Sequence, residues 1–122
     1  MAASILLVED DENTRVLYEE IFKKEGYELT VAVDGESAVS LALRGSFNLI
    51  LLDIMLPKRD GFSVLEELSK DTEKKYRVVM LTNLSHDSAT KQARNLGALG
   101  YIVKSAVTPQ KLLEEVKKYT VK

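Results

Sequence analysis

SILLVEDDENTR, residues Ser4 to Arg15, is the stretch that decides the fold. Ile5, Leu6, Leu7 and Val8 are apolar at every position, and the run empties straight into Glu9, Asp10, Asp11 and Glu12. An apolar run without alternation suits a strand covered on both faces, as in a parallel sheet. From about Asn13 to Glu25 the apolar residues recur at Val16, Leu17, Ile21 and Phe22, and the pattern stops at Gly26, which predicts a helix. The stretch is therefore a strand passing into a helix through an acidic turn.

Working outward, the same unit recurs four times. Apolar or β-branched runs lie at Leu29 to Val33, Leu49 to Leu52, Val78 to Leu81 and, more weakly, Tyr101 to Val103. Helical patterns separate them. One spans about Glu36 to Leu43 and ends before Gly45; one carries Phe62, Leu65 and Leu68; one carries Ala89, Ala93 and Leu96 and closes at Gly97. In the last, Thr108 caps, Pro109 sits where a missing N–H is harmless, and Leu112, Leu113, Val116 and Tyr119 form a stripe. Right-handed crossovers then place helices on both faces of a five-stranded parallel sheet, an α/β protein of the three-layer α/β/α kind. Ligands of such sheets bind at the carboxyl ends of the strands.

The totals agree with one domain over residues 1–122, and no output domain is expected to follow the last helix. The 122 residues are 45% hydrophobic and 30% charged, enough for a core and without a low-complexity tract. Seventeen basic against nineteen acidic residues give a net charge of -2 and no basic stripe, which argues against direct nucleic-acid binding or membrane attachment. Without cysteine there is no disulfide, thiolate metal site or thiol nucleophile. No leader-like segment or membrane-length apolar run is present, so a cytoplasmic location is expected.

The strand ends supply the candidate chemistry. They are Glu9, Asp10 and Asp11 after the first strand, Asp53 after the third, Thr82 and Asn83 after the fourth, and Lys104 after the fifth. Carboxylates gathered at one edge repel one another, and a hard divalent cation with oxygen ligands, Mg²⁺ in a cell, relieves this. For Asp11 and Glu12 the plainer reading is preferred, acids favouring a helix N-terminus. Asp53 closes the apolar run "NLILLD", where a carboxylate is costly unless it faces a cavity and has a partner. It is the best nucleophile candidate, and a carboxylate beside Mg²⁺ can accept a phosphoryl group. Thr82 offers a hydroxyl and Lys104 a positive charge to phosphoryl oxygens.

Taken in order, ED after the first strand, "LLDIMLPKRDGF" around the third, "VVMLTN" at the fourth and "GYIVKS" at the fifth resemble the CheY-like receiver domain of two-component response regulators. The likeness runs over essentially the whole chain. It implies a flavodoxin-like (βα)5 sheet of order 2-1-3-4-5 and phosphoryl transfer to Asp53 from a phosphohistidine on a sensor histidine kinase or phosphotransfer protein. It further implies Mg²⁺ held by Asp10, by Asp53 and by the Met55 backbone carbonyl, with Glu9 acting through a metal-bound water. Thr82 and Lys104 would hold the phosphoryl oxygens, and Tyr101 would match the aromatic switch that turns inward as Thr82 moves. A stand-alone signalling module follows, a phosphoacceptor rather than a turnover enzyme, monomeric or dimerising on phosphorylation and acting on a downstream protein target. A phosphorylation-independent interaction module of the same fold is the alternative. A haloacid-dehalogenase-like hydrolase needs a second aspartate where Met55 stands, and an FMN carrier needs a phosphate loop where Glu9 and Asp10 would repel it.

Two positions depart from the family pattern. Ser105 follows Lys104 where proline in a cis peptide is usual, and a cis bond before serine costs roughly 2.5–4 kcal/mol. Asn83 replaces the small residue usual after the threonine, so it either crowds the phosphoryl pocket or hydrogen-bonds there. In that family the positions two beyond the aspartate and the threonine lie beside the path of the hydrolytic water; here they are Met55 and Leu84, both apolar, which predicts slow self-dephosphorylation because neither can hold that water. The lone His86 is read as a solvated side chain.

Overall fold

The computed structural model describes residues 3–120. Five strands alternate with helices along the chain: β1 (Ser4–Val8), α1 (Glu12–Lys24), β2 (Glu28–Ala32), α2 (Gly35–Arg44), β3 (Leu49–Leu52), α3 (Gly61–Ser69), β4 (Val78–Thr82), α4 (Asp87–Asn95), β5 (Gly100–Val103) and α5 (Pro109–Thr120). A short 3-10 turn, Lys104–Ala106, links β5 to α5. All the strands are parallel and lie in the order β2-β1-β3-β4-β5, as the sequence leads one to expect.

The unalternating runs explain the three layers. Residues Ile5, Leu7, Leu49, Leu51, Val79 and Leu81 point to one face and pack with Tyr18 and Phe22 of α1 and Leu112 and Val116 of α5. Their neighbours Leu6, Val8, Ile50, Leu52, Val78 and Met80 point to the other, against α2, α3 and α4. Each fully buried leucine or phenylalanine contributes about 1.5–3 kcal/mol. At the edge, β2 is only half covered and Val33 lies exposed beyond its end.

Local signals act as their chemistry requires. Asp11, Asp34 and Asp60 cap α1, α2 and α3 by accepting the N–H of Thr14, Ser37 and Ser63 at 2.9, 2.7 and 2.9 Å. Asp11 thus serves the helix, as read from sequence. Thr108 accepts the Lys111 N–H at 3.1 Å. Gly26 and Gly97 close α1 and α4 at φ 91° and 105°, a conformation that favours glycine. The face of α1 departs from the sequence reading. Val16 and Leu17 are exposed, 53% and 47%, and the buried stripe is Tyr18 with Phe22. No cis peptide bond occurs among the described residues, so the chain passes from Lys104 to Ser105 in trans.

Candidate functional site

Parallel pairing brings four strand ends to one edge. The register aligns Val8 with Leu52 and Leu52 with Met80, so the residues after β1 and β3 emerge side by side. Asp53 donates its own N–H to the Val8 carbonyl at 3.3 Å, one step past the last strand residue. Glu9, Asp10 and Asp53 each place a carboxylate oxygen within 4.8 Å of the others. Glu9 and Asp53 are buried, while Asp10 is exposed at the rim.

Lys104 reaches this cluster from the end of β5. Its ammonium donates to Glu9 Oε1 at 2.5 Å and to Asp53 Oδ2 at 2.7 Å. The second oxygen of Asp53 accepts the N–H of Ile54 at 2.7 Å and of Met55 at 3.3 Å. Both carboxylate oxygens therefore have partners, which is what makes the buried charge tolerable. Burial drives the Glu9 carboxyl above its ordinary value, while the hydrogen bond and charge of Lys104 pull against it. Burial works against the Lys104 ammonium too, but Asp53 and Glu9 outweigh it and hold the group above its usual value.

An oxygen-only set of three acids suits a hard cation such as Mg²⁺ and excludes a thiophilic metal. No hydrogen bond reaches the Met55 carbonyl among the described residues, so that oxygen is also free to serve as a ligand. The Met55 side chain is 67% exposed, whereas Leu84 is half buried.

Thr82 is wholly buried and its hydroxyl accepts the Leu84 N–H at 3.3 Å. The Tyr101 hydroxyl donates to the carbonyl of the same Leu84. One residue, Leu84, therefore links the β4 threonine to the β5 tyrosine. Burial and the charge of Asp53 push the Tyr101 phenol upward. Asn83 is exposed, and its side chain accepts the Ser105 N–H at 2.9 Å. His86 is exposed at the start of α4.

Sequence reasoning missed several residues that shape the edge. Gly61 donates to the Ile54 carbonyl at 2.7 Å, and a Cβ there would collide with the Asp53 carbonyl. Gly35 donates to the Pro57 carbonyl at 3.2 Å and a Cβ would strike Arg59, so α2 seats the loop that follows Asp53. Lys58 in that loop takes φ 68° and lies 3.6 Å from Asp34. Glycine directly after a capping aspartate, as in "RDGF", was the available signal for close backbone approach. Burial pushes the Tyr18 phenol upward, with smaller contributions from the charges of Lys104, Glu9 and Asp53.

Comparison with known proteins accords with this geometry. The sequence pattern described as the response regulator receiver domain matches residues 5–117. Sporulation initiation phosphotransferase F of Bacillus subtilis (strain 168) is 31% identical over 119 residues, 98% of this chain and 94% of that protein. The probable transcriptional regulator ycf27 of Porphyridium aerugineum is 40% identical over 100 residues, 82% of this chain; the matched part is 41% of that protein's length. Among solved structures, a CheY-like response regulator receiver domain protein from Methanospirillum hungatei JF-1 superposes with a TM-score of 0.90 at 31% identity, covering 98% of this chain and 94% of the other. A match over nearly the whole chain, on a sheet of this order, leaves one assignment: the chain belongs to the response regulator receiver domain family of two-component signalling.

Proposed function

We propose that Asp53 accepts a phosphoryl group from the phosphohistidine of a sensor histidine kinase or a phosphotransfer protein. The observation that carries this is the Asp53 carboxylate at the edge of the sheet, 2.7 Å from the Lys104 ammonium and within one cluster with Glu9 and Asp10. A phosphotransferase among the relatives supports it. In the transfer an Asp53 oxygen forms a bond to phosphorus, the nitrogen–phosphorus bond of the donor breaks, and the imidazole keeps the electron pair.

Asp10, Asp53 and the Met55 carbonyl are the groups to hold Mg²⁺ directly, with Glu9 acting through a water. Once bound, the ion supplies neutralising charge to the phosphoryl oxygens. Lys104 is poised to exchange its bond with Asp53 for one to the transferred group. The Thr82 hydroxyl now only accepts, from Leu84, so its proton is available to a phosphoryl oxygen. As Thr82 turns to donate it, the Leu84 peptide is released or drawn along, and Tyr101 responds through the Leu84 carbonyl. The readout is then the face formed by α4, β5 and α5, presented to a downstream protein. No helix among the described residues is long and apolar enough to cross a membrane, in keeping with a cytoplasmic signalling module.

Intact mass after incubation with acetyl phosphate and Mg²⁺ tests the assignment. The wild type gains one phosphate and Asp53→Asn gains none. A fully phosphorylated Asp53→Asn protein moves the acceptor elsewhere. A wild type that neither gains phosphate nor binds beryllofluoride is instead a phosphorylation-independent interaction module.

A further inference from the structure

We propose that Asn83 is a positioning residue for phosphoryl transfer, locking the loop that carries Thr82 to the loop that carries Lys104 through its bond to Ser105. The inference rests on the phosphoacceptor reading of Asp53. It begins where the sheet ends. The β4–β5 ladder runs out at the pair Thr82 and Val103, and the next residues leave the sheet in different directions, one toward α4 and the other into the 3-10 turn. Beyond that last pair the side chain of Asn83 adds one more cross-link, accepting the Ser105 N–H at 2.9 Å across 22 residues of sequence.

The chemistry of this contact is unambiguous. A backbone N–H only donates, so the amide atom facing it is the oxygen. The first N–H groups of a helical turn lack partners within the turn, and Asn83 satisfies one of them from the neighbouring loop. The two departures from the family pattern are also the two halves of this bond. A small residue in place of Asn83 has no side-chain acceptor of that reach, and proline in place of Ser105 has no N–H to offer.

Its consequence concerns the groups next door. Asn83 directly follows Thr82 and Ser105 directly follows Lys104, so the bond fixes the separation of the two side chains that meet the phosphoryl oxygens. The Tyr101 bond to Leu84 ties the same loop to β5 one residue further on. With both ties in place the hydroxyl and the ammonium approach the phosphorus as a unit. Without the Asn83 tie each finds its position separately, and the rate of transfer falls.

The test is the rate of phosphorylation by acetyl phosphate at saturating Mg²⁺, followed by intact mass, in wild type, Asn83→Ala, Ser105→Pro and the double variant. Each single change is expected to slow the reaction about fivefold, the rate equivalent of one ordinary hydrogen bond. The double variant is expected to be no slower than either single one, because all three lack the same bond. Mg²⁺ affinity is expected to stay at the wild-type value while the melting temperature falls by no more than the few degrees that one hydrogen bond represents, a split that a general structural defect would not give. If Ser105→Pro does not fold, the Ser105 amide proton resonance replaces it and must move upfield in Asn83→Ala. An Asn83→Ala protein that reacts as fast as wild type, multiplying rate losses in the double variant, weakened Mg²⁺ binding, or an unmoved Ser105 amide each overturn the proposal. A wild type that takes up no phosphate overturns the phosphoacceptor reading, and this inference with it.

Discussion

Leu84 shows how much one residue can hold at this edge. Its N–H is bonded to Thr82, its carbonyl to Tyr101, and its half-buried side chain packs against the core under α3 and α4. Hydrolysis of an acyl phosphate needs a water placed in line with the departing bond, and an apolar side chain at that place denies it a hydrogen bond. With Met55 turned out to solvent, the screening falls mainly to Leu84. Phosphate loss after removal of the donor should accordingly be slow. Leu84→Glu should speed it about tenfold, equivalent to about 1.4 kcal/mol of barrier, with Met55→Asn adding less. An unchanged rate in the double substitution rules the screening out. At this scale the acids, Thr82 and Lys104 were legible, because each ends an apolar run where a charge or a hydroxyl has to be explained. The Asn83–Ser105 bond and the clash that keeps Gly61 small were not. Their partners are distant in sequence or are backbone atoms, and only the packed loops bring them together.

Among the elements, α1 is where pattern and structure part. Counting only aliphatic residues and phenylalanine favours Val16 and Leu17, yet the helix turns Tyr18 and Phe22 inward, four residues apart and with their rings edge to face. Tyrosine buries as a large ring with a polar tip, so leaving Tyr18 out of the count misplaces the stripe. The central strands could be read because both their faces are covered. The edge strand β2 was read one residue late because Val33 continues the apolar run into solvent. The other elements of consequence are α4, β5 and α5. Thr82 and Lys104 lead directly into the segments that join them, and Tyr101 lies on β5 between. Amide chemical shifts that change on phosphorylation should therefore concentrate from about Thr82 to Leu113. Changes confined to α1 and α2 would place the readout on the opposite side.

Over the whole molecule, three carboxylates at the edge face one ammonium, so the cluster stores repulsion that the core has to offset. Mg²⁺ that binds only the folded chain should raise the melting temperature, by about 2.7 kcal/mol of added stability at a hundredfold excess over its dissociation constant. Asp10→Asn should stabilise the metal-free protein and lose most of that response, which melting with Mg²⁺ and with a chelator will show. The three layers were open to reading because right-handed crossovers between covered strands put helices on both faces, whereas the strand order followed from the resemblance to receiver domains. What no local pattern contains is the span of the ion pair between Glu9 and Lys104, 95 residues apart. That span has a meaning in time as well as space. Chain closure over such a distance is slow and comes after local helices and neighbouring strands have formed. During synthesis the acids of β1 and β3 emerge long before the lysine that quiets them. On the phosphoacceptor reading, a nascent chain thus holds Asp53 before it holds competence, and a partner would meet a responsive surface only once β5 and the lysine after it have emerged.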